Sequence, residues 1–111
     1  MQMFSRHTTP EIGVDQLDEL VATSSVHVLD VREDWEYRRG RVPGAVSVPM
    51  TRLGAQFATL PRDKPYAVIC ESGSRSLAAT DFLLAQGFDG AVSVKGGTSA
   101  WARTQRPLER D

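Results

Sequence analysis

The chain carries one cysteine, Cys70, in a setting that suits a nucleophile. Glu71, Ser72, Gly73, Ser74, Arg75 and Ser76 follow it, and an apolar run begins at Leu77. The thiolate is the reactive form of cysteine, and helix N-termini and nearby cations lower the thiol's pKa. This loop offers both. The first N–H groups of the helix that follows have no intrahelical partner and favour negative charge. Gly73 permits backbone angles that turn successive N–H groups inward as an anion-binding nest. Arg75 supplies a cation. A lone cysteine is more often a small buried hydrophobe, but such a residue needs no Gly/Ser loop, arginine and helix start directly after it.

The neighbouring polar residues have competing readings. Arg75 either faces the pocket and attracts an anion, or ties the loop to an acid such as Asp30 or Glu36. Asp30 and Arg32 end a strand expected to lie beside that of Cys70, and read as an ion pair supporting the loop. Ser72, Ser74 and Ser76 can hydrogen-bond the sulfur or cap the helix, and capping is the favoured reading. Glu71 opposes the rest, because a like charge beside Cys70 disfavours its ionisation and repels an anionic substrate.

The elements that position these residues follow from apolar spacing. Tyr66 to Ile69 is a short apolar run, as a buried parallel strand should be. A helix is expected from Arg75 to Gln86, with Leu77, Ala79, Phe82, Leu83 and Leu84 apolar, Gly87 as its stop and Phe88 touching Leu83. Further strands are expected at 10–14, 26–31, 45–48 and 91–94. The intervening helices are one capped by Asp15 and carrying Leu17, Leu20 and Val21, and a short one after Glu33 ending at Gly40. Another spans Thr51 to Leu60, and a last one follows Gly96-Gly97 and carries Trp101. Alternating strands and helices predict a parallel sheet covered on both faces, with ligands at the carboxyl ends of strands.

Several stretches together resemble one known family. Cys70-x-x-Gly73-x-Arg75-Ser76 looks like the active-site loop of the rhodanese family. The passage Leu29-Asp30-Val31-Arg32-Glu33 through Val42-Pro43-Gly44-Ala45 to Val48-Pro49 is similar to its N-terminal signature, and Gly96-Gly97 with Trp101 to its C-terminal motif. Two positions depart: Arg41 stands where the family usually has His, and Gln105 where it often has Gly. The resemblance spans Val14 to Pro107. It implies a rhodanese-like three-layer α/β/α fold with a central, mostly parallel five-stranded sheet. A single domain over 10–108 would follow a flexible tail at 1–9. It also implies a sulfurtransferase needing no cofactor. Cys70 would take a sulfane sulfur from thiosulfate or another persulfide donor, hold it as a persulfide on the N–H groups of Glu71 through Ser76, and pass it to cyanide, a thiol or a carrier protein. With Glu71 beside the sulfur, weak use of thiosulfate is expected. The alternatives are a persulfide carrier or docking module without turnover, and a small cysteine phosphatase. The phosphatase loop is Cys-x5-Arg, and here only four residues separate Cys70 from Arg75, so the anion cradle would be smaller.

Composition bounds the rest. A chain of 111 residues with net charge −1 makes one compact domain and gives no reason to expect nucleic acid or an anionic membrane as partner. His7 reads as a surface residue. One cysteine and two histidines, widely separated, have no metal-site spacing. A single cysteine and no apolar signal core in Met1 to Thr9 predict a reducing, cytoplasmic setting, with the protein a monomer or weak dimer.

Overall fold

In the computed structural model, which describes residues 8–111, the central strand β4 (Tyr66–Ile69) is buried along its whole length. Side chains of a strand alternate between faces, and β4 divides accordingly. Tyr66, Val68 and Cys70 join one apolar cluster, while Ala67 and Ile69 join a second on the opposite face. β2 (His27–Asp30) divides in the same way, with Leu29 in the first cluster and Val28 in the second. The cysteine therefore points to one chosen side of the sheet.

The remaining strands are β1 (Glu11–Ile12), β3 (Val46–Ser47) and β5 (Val92–Val94). The order is β1-β5-β4-β2-β3, and every pairing is parallel. The expected parallel, five-stranded, doubly covered sheet is thus observed, with strands shorter than their apolar runs. β2 does neighbour β4, with Asp30 opposite Ile69. Carboxyl ends of β2, β4 and β5 lie side by side, so Asp30, Cys70 and the Gly96-Gly97 turn share one edge.

Helices α1 (Val14–Ala22), α2 (Asp34–Arg39), α3 (Met50–Gln56), α4 (Ser74–Ala85) and α5 (Gly97–Arg103) complete the fold. On the cysteine's face, Leu53 of α3 and Ala79 and Leu83 of α4 close the first cluster; Leu17 of α1 and Trp101 of α5 close the second. α4 buries Ser76, Ala79, Thr80 and Leu83, a stripe at spacings of three and four. Hydroxyls thus occupy half of a face that the sequence suggested would be apolar.

Several ends differ from expectation. Gly13, not Asp15, is the N-cap of α1. Asp15 sits inside the first turn, where it complements the dipole and accepts a 2.7 Å bond from Arg106. The helix expected over 51–60 stops at Gln56 and continues as a 3-10 turn, Phe57–Thr59, which still carries Phe57 and Leu60 onto the core. α4 begins one residue early, at Ser74, with Gly73 as N-cap at φ 104°. Phe88 meets Leu83 as expected, its N–H donating to the Leu83 carbonyl at 3.0 Å. Thr9 donates to Asp81 at 2.7 Å; most of the expected tail, with His7, lies outside the described residues.

Two backbone positions yield predictions. Gln105, the departure from the family pattern, sits at φ 62°, a left-handed conformation that favours glycine. Gln105→Gly should raise stability by about 1 kcal/mol in urea unfolding. Gly97, at φ +61°, has no room for a side chain: a Cβ would lie 2.4 Å from the Cys70 carbonyl oxygen and 2.6 Å from that of Glu71. Gly97→Ala should cost about 2 kcal/mol or more in the same assay, because strain and clash coincide.

Candidate active site

Cys70 leaves β4 and is fully buried. The chain turns back over it through Gly73, and α4 then aims its first N–H groups at the sulfur. The Gly73 N–H donates to Sγ at 3.1 Å and the Ser76 N–H at 3.3 Å. Ser76 Oγ lies 3.4 Å from Sγ and 2.8 Å from Ser93 Oγ on β5. Burial pushes the thiol pKa up. The Ser76 hydroxyl and the N–H groups of Ser76, Gly73 and Ser72 outweigh it and hold the pKa below the ordinary value. The sulfur thus sits among hydrogen-bond donors in a dry site.

This geometry corrects the favoured reading of the serines. No side chain caps α4. Ser76 is a sulfur ligand and reaches back to Ser93, while Ser72 and Ser74 are exposed.

Arg75 resolves to the second of its two readings. It forms a two-pronged ion pair with Glu36, at 2.8 and 2.9 Å. The geometry matches the planar fork of a guanidinium to a carboxylate. Glu36 also accepts the Glu33 N–H at 3.0 Å as the third residue of a capping box on α2. Hydrogen bonds from Arg75 outweigh burial and hold Glu36 at about 2. One carboxylate therefore closes a helix end and anchors the reactive loop.

Asp30 and Arg32 form the expected pair and more. Arg32 donates to Asp30 at 3.0 and 2.8 Å, to the Gly40 carbonyl at 2.8 Å and to Glu71 at 3.0 Å. Burial alone would lower the Arg32 pKa; Asp30 and Glu71 more than offset it. Glu71 is held again by Ser99, whose hydroxyl donates to Oε2 at 2.7 Å. Glu71, which the sequence presents as a like charge beside the sulfur, is turned onto a cation. Backbone contacts complete the clamp. Thr98 and Ser99 N–H groups donate to the carbonyls of Cys70 and Glu71 at 2.9 and 3.0 Å.

A family model for the rhodanese-like domain matches residues 13–104. The chain belongs to the rhodanese-like domain family. Among similar proteins, a sulfurtransferase of Allochromatium vinosum is 32% identical over 99 residues, covering 88% of this chain and 92% of that protein. The thiosulfate sulfurtransferase GlpE of Shewanella oneidensis is 32% identical over 90 residues, covering 81% and 89%. The crystal structure of a rhodanese-related protein from Thermoplasma volcanium superposes with a TM-score of 0.84 at 35% identity, over 92% of this chain and 99% of that one.

Within this rhodanese-like domain, Arg41 replaces the family's usual histidine with bonds of its own. Its guanidinium stacks 4.4 Å over the Tyr37 ring and donates to the Tyr37 carbonyl at 3.2 Å and to Asp111 at 2.7 Å. Sequence reasoning missed Ser93, Thr98 and Ser99. No local pattern marks them, because they meet the loop only when β5 and α5 fold beside β4. Glu36 was named as one of two possible partners for Arg75.

Two outcomes test the geometry. Ser76→Ala should move the Cys70 titration, read from iodoacetamide alkylation against pH, upward, since a donor to the thiolate is lost. Glu36 has a depressed pKa, so its stabilising effect is present above the ordinary carboxylate range and fades as pH falls toward 2. Glu36→Gln should therefore lower Tm at pH 7 by several degrees, and the gap to the parent protein should close in acid.

Proposed function

We propose that this domain is a sulfurtransferase in which Cys70 carries the sulfur as a persulfide. The observation that supports it best is the pair of backbone N–H donors on Sγ, from Gly73 and Ser76, beside a Ser76 hydroxyl that accepts from the thiol and can donate to the thiolate. Such donors stabilise a thiolate before reaction and a persulfide anion after it. In the first step the Cys70 thiolate attacks the outer sulfur of thiosulfate or another sulfane donor. A bond forms to Sγ and the donor's S–S bond breaks, with the electron pair leaving on sulfite when thiosulfate is used. In the second step a thiolate, cyanide or carrier-protein thiol takes the outer sulfur and regenerates Cys70. Splitting one transfer into two covalent steps predicts ping-pong kinetics.

Cys70 is fully buried, so a donor must displace part of its surroundings to reach Sγ. The pairing of Glu71 with Arg32 weakens the repulsion of a dianionic donor that the sequence suggested. Full burial also favours a second reading, a carrier that holds its sulfur with little turnover.

Intact mass after brief thiosulfate treatment tests the first step. A gain of roughly 32 Da, absent in Cys70→Ser and removed by cyanide, is the expected result. Absence of any gain with thiosulfate and with a small-molecule persulfide alike would overturn the sulfurtransferase reading. Repeated cycles with donor and cyanide then separate catalyst from carrier.

A further inference from the structure

A short polar chain runs inward from the reactive sulfur. Ser76 Oγ lies 3.4 Å from Cys70 Sγ and 2.8 Å from Ser93 Oγ, and all three residues are fully buried. Ser93 is the middle residue of β5, opposite Val68 of β4. Val94 beside it joins the apolar cluster on the far face of the sheet, so the Ser93 side chain lies on the cysteine's face. Its hydroxyl has no partner other than Ser76 among the described residues.

Stability alone does not call for this pair. Two buried hydroxyls that satisfy only each other can both be replaced by apolar groups of like shape at almost no cost. A serine within a helix also has a nearer option, the carbonyl three or four residues back. Ser76 makes no such bond among the described residues, and its hydroxyl is held across to β5 instead. The direction of the bonds then bears on the chemistry. Each hydroxyl has one proton to donate. In the thiol state Sγ–H donates to Ser76 Oγ, and Ser76 O–H donates to Ser93 Oγ. Once the thiol is ionised, the Ser76 O–H is needed at Sγ. The contact between the serines survives that turn only if Ser93 O–H turns too and donates to Ser76 Oγ. A hydrogen bond received in this way polarises the Ser76 O–H and strengthens its donation to the anion.

We propose that Ser93 is a positioning residue for sulfur transfer: its hydroxyl holds Ser76 Oγ at the sulfur, and donates to it when Ser76 turns its proton to the Cys70 thiolate. Each serine keeps its own proton throughout. The inference rests on the sulfurtransferase reading for its catalytic meaning, and the contact itself is tested on the thiol before any sulfur is transferred. Charged groups on the elements around the sulfur are committed elsewhere. Asp30, Arg32, Glu71, Arg75 and, on α3, Arg52 each sit in an ion pair, and Lys95 after β5 is exposed. None of them bonds Ser76 or Ser93 among the described residues.

The test is a double-mutant cycle on the Cys70 titration, read from the rate of iodoacetamide alkylation against pH. The midpoint of that profile reports ionisation, and its high-pH limit reports access. A merely loosened structure moves the limit and leaves the midpoint. Ser93→Ala should move the midpoint upward, by less than Ser76→Ala does. The double variant should match Ser76→Ala alone, because Ser93 acts only through Ser76. Thr80 supplies the contrast. Its hydroxyl is buried one turn further along α4 with no partner among the described residues, and Thr80→Val should leave the midpoint where it is. An unmoved midpoint in Ser93→Ala overturns the proposal. So do additive shifts in the double variant, or a Thr80→Val shift as large as that of Ser93→Ala, which would make the effect one of packing. An unmoved midpoint overturns it even where thiosulfate converts Cys70 to a persulfide. A moved, non-additive midpoint supports the contact even where no persulfide forms, and the sulfurtransferase reading alone then falls.

Discussion

The structure depends on holding the Cys70 sulfur out of water among hydrogen-bond donors, with no cation in contact with it among the described residues. Burial disfavours the charged form of Cys70, and only hydrogen-bond donors aimed at Sγ reverse that preference. Donors from Gly73 and Ser76 reach Sγ only if the chain reverses direction immediately after β4. That reversal needs a left-handed residue, and Gly73 supplies it at φ 104°. A Cβ at Gly73 would also stand 3.1 Å from the Gly96 nitrogen, so glycine there answers both backbone angle and crowding.

A loop under that constraint must be held from outside, and three elements do so. α5 takes its first two carbonyls through Thr98 and Ser99. β2 takes the Glu71 carboxylate through Arg32. α2 takes Arg75 through Glu36. Each clamp is polar and sits at the carboxyl edge of the sheet, while the apolar clusters lie beneath. Core packing sets where the strand ends are; the clamps set where the loop lies relative to them. Arg32 is central to both levels, since it satisfies the buried Asp30, the Gly40 carbonyl and Glu71 at once. Removing it would leave the Asp30 charge buried without its partner, and such a loss costs far more than a surface pair.

The arginines near the site have divided roles. Arg32 and Arg75 are spent on carboxylates and serve the loop's shape. Arg39 and Arg103 pair with no acid among the described residues and sit in the last turns of α2 and α5, where they complement the helix dipoles.

Much of the fold and the centre of the site were legible in the sequence because they are local. The alternation of apolar runs with amphipathic stretches specifies a parallel, doubly covered sheet. Cys70 to Ser76 specifies a strand–loop–helix with a cysteine at its corner, and the Asp30–Arg32 pair spans only two residues. Roles that depend on long-range contacts were not legible. Arg75 could have met Asp30, Glu36 or a ligand, and only the placement of α2 against α4 selects Glu36. Ser76 reads as a cap by position, but the packing of β5 against β4 brings Ser93 to it and turns its hydroxyl toward the sulfur. Glu71 reads as a repelling charge until β2 and α5 bring Arg32 and Ser99 to its two oxygens. Periodicity and turn chemistry act over a few residues and are written in the chain. Charge pairing acts across tens of residues, and strand order and helix placement decide it.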